Sequence, residues 1–123
     1  MLTAVLAGCA PTPPDPELTG AADDARSATQ SVRLGVMQDR DQRLLPTTAS
    51  VVYEDMGQEL TDAASRLELR TVGNSIDARY RQAALKATRL AIEGTHAAAQ
   101  GDTATAAADL RRALAMFDRL GTE

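Results

Sequence analysis

The chain is 123 residues long, with 44% hydrophobic residues, a net charge of −4, two tyrosines, one phenylalanine and no tryptophan. That length holds one domain at most, and the acidic balance argues against a nucleic-acid surface or an electrostatic grip on anionic lipid. A single cysteine leaves no disulfide, so the fold must stand on packing alone.

Leu2, Ala4, Val5 and Leu6 form a short apolar run, followed by Ala7, Gly8 and Cys9. An apolar segment enters a bilayer, small residues let a peptidase grip extended backbone, and a thiol can take a diacylglyceryl group as a thioether. The tetrapeptide Leu6-Ala7-Gly8-Cys9 resembles the lipobox of bacterial lipoproteins. The resemblance implies that residues 1–8 are the remnant of a signal peptide and that Cys9, once acylated, becomes the new N-terminus. The stretch departs from a full signal in lacking a basic segment ahead of the apolar run. Pro11, Pro13, Pro14 and Pro16 follow at once. They favour extended polyproline II, so residues 9–15 read as a semi-rigid tether.

Residues 16–121 read as one helical domain. Asp15-Pro16-Glu17 has the N-cap, N1 proline and early acid of a helix start, with Thr19-Gly20 as a second possible start. Leu18, Ala22, Ala25, Thr29, Val32 and Val36 then step by fours and threes, a heptad seam. Pro46 limits that helix, and Thr47 and Thr48 can cap the next. Its seam is Val52, Met56, Leu60, Ala63 and Leu67, and Gly73 is placed to end it. Asn74 and Ser75 are N-cap candidates for a third helix with the seam Ile76, Tyr80, Ala83, Ala87, Leu90 and Gly94. Gly101-Asp102 ends that helix in a left-handed turn and opens a fourth, carried by Ala107, Leu110, Leu114 and Phe117. No segment alternates with period two. The expectation is an all-α fold, either a four-helix up-down bundle or two stacked helical hairpins. Residues 47–72 carry a balance of −3 and residues 74–99 one of +2, which favours those two helices lying side by side.

Few motifs carry chemistry. His96 is the only histidine, and a metal site wants several converging ligands. The carboxylates fall on helix starts and exposed faces, and neither a nucleophile elbow nor a glycine-rich phosphate loop is present. Catalysis and cofactors are therefore not expected. Arg111, Arg112 and Arg119 form a small basic cluster that can receive a carboxylate or phosphate from a partner, with Asp109 and Asp118 near enough to neutralise it.

Residues 87–120 resemble a tetratricopeptide-repeat hairpin. Leu90 and Gly94 match its first helix, Gln100-Gly101-Asp102 its turn, and Ala106, Leu110, Ala113 and Leu114 its second helix. Ala97 stands where that family has a large aromatic residue, and the closing proline is missing. The resemblance implies a peptide- or protein-binding surface.

Together these readings point to a lipid-anchored protein on the extracytoplasmic face of a bacterial cell membrane. It would be held there by acyl chains on Cys9 and act by contact with another protein or with itself. Leu34, Met37, Val51, Leu69 and Met116 lie off the seams and can serve such a face. The alternative is a carrier of a small apolar or amphiphilic ligand between the helices.

Overall fold

The computed structural model describes residues 13–120, which form four α-helices and, among these residues, no strand. They are α1 (Pro16–Arg40), α2 (Pro46–Leu69), α3 (Ser75–Ala99) and α4 (Thr103–Arg119). Each helix packs against its neighbour in sequence, and α4 closes the ring against α1, while α1 and α3 also touch across the middle. Short turns between long helices make consecutive helices antiparallel, and the result is a four-helix bundle.

The helix ends have local causes. Asp15 caps α1, its side chain accepting the Glu17 N–H at 2.9 Å, with Pro16 at the first position. Asn74 caps α3 through the Asp77 N–H at 2.8 Å, and Asp102 caps α4 through that of Thr105 at 3.1 Å. The start of α2 differs from expectation. It begins at Pro46 behind Leu45, with no side-chain cap, so Thr47 and Thr48 lie inside the helix. Proline at the first position needs no capped N–H of its own, which is why the helix can start there. Nor does Gly73 end α2, because the helix stops at Leu69 with Arg70 as its C-cap.

Two turns share one solution. After α3, Gly101 takes φ +85°, the Asp102 N–H reaches the Ala97 carbonyl at 2.9 Å, and the Gly101 N–H reaches Ala98 at 3.0 Å. After α1, Gln42 takes φ 58°, with Arg43 bonded to Gln38 at 2.8 Å and Gln42 to Asp39 at 3.0 Å. Both are Schellman closures, in which a left-handed residue turns the chain back over orphan carbonyls. Glycine makes the turn after α3 legible in the sequence; glutamine hides the one after α1. Gly101→Val should cost at least about 1 kcal/mol, because a β-branched residue resists positive φ. A thermal melt unchanged from wild type would count against this turn.

The core is built mainly of alanine. Thirteen of the twenty-two buried apolar residues are Ala, so the helices must approach closely to exclude water. Two glycines set the tightest points. A Cβ at Gly94 would meet Leu110 Cγ of α4 at 3.0 Å, and one at Gly35 would meet Val52 and Tyr53 of α2 at 3.4 Å. Buried Thr29, Thr88 and Thr95 return their hydroxyls to the carbonyls of Ala25, Ala84 and Ala91 at 2.7–2.8 Å. They pack as small apolar residues with their polar atom already satisfied.

The α1 seam is buried throughout. On α3, however, the buried residues are Ala84, Leu85, Ala87, Thr88, Ala91, Gly94, Thr95 and Ala98, a stripe mostly one residue further round than expected. Ile76, Tyr80, Ala83 and Leu90 sit at the flank, half-buried or exposed. The large residues looked like the core, but apart from Leu85 the space between close helices is filled by small ones.

Candidate functional site

The proposed lipidation residue, Cys9, and most of the tether lie outside the described residues. The point where the chain enters the bundle is defined. Asp15 joins three helix ends: its N–H donates to Asp77 Oδ1 on α3 at 3.1 Å, and its Oδ2 accepts Arg70 Nε, just after α2, at 2.8 Å. Arg81 of α3 donates to the Arg70 carbonyl at 3.0 Å. The Arg70 guanidinium, then the Glu17 N–H, hold the Asp15 carboxyl below its ordinary range. A lowered acid stabilises the fold above its unfolded pKa and loses that contribution as pH falls through the folded one. The melting temperature should therefore drop on acidification below about pH 4, the ordinary aspartate range, and Asp15→Asn should flatten part of that slope. An identical acid slope in the variant would remove Asp15 from the account.

The bundle's two ends differ. Asp15, where α1 begins, lies at the end that carries the α2–α3 turn and the end of α4. The α1–α2 turn lies at the far end, about 35 Å away for a helix of this length at 1.5 Å per residue. Leu34, Met37 and Val51, expected off the seams, are 50–56% exposed and lie within two turns of that far turn. Leu45, which sequence reading missed, is in the turn itself and 70% exposed. Leu69 is exposed at the tether end, with Ile76 near it. Met116 is half-buried.

The arginine cluster is split by the fold. Arg112 and Arg119 face a groove between α3 and α4 that Lys86 also lines, whereas Arg111 is exposed and does not line it. Asp118 forms its ion pair with Arg26 of α1 at 2.6 Å, across the helix interface rather than within the cluster. The groove has two abutting parts, about 440 and 720 Å³, that share Lys86, Arg112 and Met116. Arg81, Arg89 and Glu93 line the larger part. Arg89 is spoken for by Glu68 of α2 at 2.8 Å, an ion pair between the oppositely charged α2 and α3. Lys86 and Arg112 have no ion-pair partner among the described residues.

The chain matches no protein-family model, no curated protein and no solved structure. Chemistry must therefore be read from the side chains. His96 is exposed. Among the described residues no group of three or more His, Cys, Asp or Glu is placed to hold a metal ion, and no helix is long and apolar enough to cross a membrane. What the surface offers is a cationic groove on one side and exposed apolar residues at both ends, Leu34, Met37, Leu45 and Val51 toward the α1–α2 turn and Leu69 and Ile76 at the other.

Proposed function

We propose that the chain is a bacterial envelope lipoprotein, anchored through acyl chains on Cys9, whose helical bundle works by binding another protein. The observation that supports this most is the polarity of the bundle. A proline tether leads into one end, where Asp15 ties it to α2 and α3, and Leu34, Met37, Leu45 and Val51 are exposed toward the other. Exposed large apolar residues that gather in one place mark interaction surfaces. On an anchored molecule that end faces away from the lipid, where a partner has access. The α3–α4 hairpin, with its likeness to a tetratricopeptide repeat, fits a binding role, and the thin alanine core gains stability when a partner covers leftover apolar surface.

The anchor is tested by fractionating cells that express the wild-type chain or Cys9→Ser. Two acyl chains give stable attachment where one is marginal, so the wild type should sediment with membranes and the variant should move to the soluble fraction. Equal sedimentation of the two would overturn the anchored reading. Docking is tested by photo-crosslinkers placed at Leu34 and at Asp62. A discrete adduct from Leu34 alone is expected, and equal labelling from both positions speaks against a distal docking end.

A further inference from the structure

Three depressions run together along the α3–α4 side. The smallest, about 230 Å³, is lined by Pro14, Ile76, Arg79, Tyr80, Ala83 and Leu120, and shares Ala83 and Leu120 with the 440 Å³ part. That part in turn shares Lys86 and Arg112 with the next. The groove is thus mainly apolar at the tether end, where Arg79 is the one charged lining residue, and cationic further along. We propose that it binds a monomeric single-chain anionic amphiphile, such as an alkyl phosphate, with the head group between Lys86 and Arg112 and the chain along Ala83, Tyr80 and Ile76.

The two parts of that ligand answer two separate features. Lys86 and Arg112 come from different helices, line the same space and have no ion-pair partner among the described residues, although Glu93 lines the larger part and the chain as a whole is acidic. Two like charges left unpaired at one groove are relieved by an anion between them, and guanidinium and ammonium groups both suit phosphate or carboxylate. The floor lies at the edge of the core on α3: Ile76 is exposed, Ala83 is half-buried, and Tyr80, partly packed on the core, also lines this lobe. From Ile76 to Lys86 the helix rises about 15 Å, room for an extended alkyl chain. A partner helix, about 10 Å across with side chains, does not fit so small a lobe, which favours a chain over a peptide.

The site is independent of the lipid anchor, so its test stands apart from that of Cys9. Dodecyl phosphate, kept below its micellar concentration, is titrated calorimetrically into the full chain. Saturable one-to-one binding is expected, with no measurable heat from inorganic phosphate or from dodecyltrimethylammonium at the same concentrations. Lys86→Gln with Arg112→Gln should weaken binding at least tenfold while circular dichroism and melting temperature stay unchanged, because both side chains are exposed. Ala83→Leu should weaken dodecyl phosphate binding by filling the junction of the two lobes. The proposal fails if the double variant binds as well as wild type, or if inorganic phosphate binds as tightly as the amphiphile. It also fails if only vesicles of anionic lipid bind, which would make the groove a membrane contact. Salt-sensitive self-association without amphiphile binding would likewise give the groove to a second copy and overturn it.

Discussion

Leu110→Ala should destabilise the bundle by about 2–5 kcal/mol, toward the upper end of that range. Leu110 is fully buried on α4, and the wall facing it is the backbone of α3 at Gly94, where no side chain can move in to fill the gap. The cavity therefore stays open and adds to the lost transfer energy. For a small domain with a thin core the change is a large share of a total stability of about 5–15 kcal/mol. A second substitution makes the geometry testable. In the wild type, Gly94→Ala gains about 1 kcal/mol of helix propensity, but its methyl meets Leu110 Cγ at 3.0 Å. In the Leu110→Ala background the two Leu110 contacts are gone and only Asp109 Cβ at 3.2 Å remains, so Gly94→Ala should be more favourable there. Urea denaturation of the four variants measures the coupling. Strict additivity would show that the two residues do not meet as described.

The number and type of helices were legible because patterning and end signals agreed. Asp15-Pro16, Asn74 and Gly101-Asp102 each carry a residue whose chemistry forces a helix to start or stop, and each does so in the structure. Where the end is made by less specific residues, reading failed. Gln42 adopts the left-handed conformation without glycine, and α2 begins at a proline with no capping side chain. The α3 seam failed for a different reason. Sequence patterning ranks residues by size, so Ile76, Tyr80 and Leu90 looked like core. Apart from Leu85, the bundle buries alanine, threonine and glycine there, because its helices approach closely, most of all at Gly94. The same displacement made the candidate site illegible. No motif marks Lys86 in the sequence, and Arg112 is one of three neighbouring arginines. Only the packing of α3 on α4 puts them on one groove, separates Arg111 from it and sends Asp118 to Arg26.

Tyr53→Ala should cost about 3–5 kcal/mol, as aromatic truncations in cores do, while Tyr53→Phe should cost about 1 kcal/mol or less. Tyr53 is 3% exposed and fills the notch that Gly35 leaves on α1, its Cε1 3.4 Å from where a Cβ would stand. Its hydroxyl donates to Asp39 Oδ2 at 3.0 Å, next to the Schellman closure at Gln42. The ring therefore carries the packing, and the hydroxyl pins the turn. Burial, then the Asp39 carboxylate, pushes the phenol up to about 12. A raised acid favours the protonated form in the fold, so its contribution is complete below the unfolded value near 10 and is lost as pH rises from there toward 12. Tyr80 is also raised, by burial and by Asp23, so wild type loses stability in alkali from two phenols. Tyr53→Phe should remove one share of that loss and leave the other. Melting curves at neutral and alkaline pH, with ultraviolet titration of the phenolates, separate the two. If Tyr53→Ala and Tyr53→Phe melt together at neutral pH, the aromatic ring is not what holds α1 to α2.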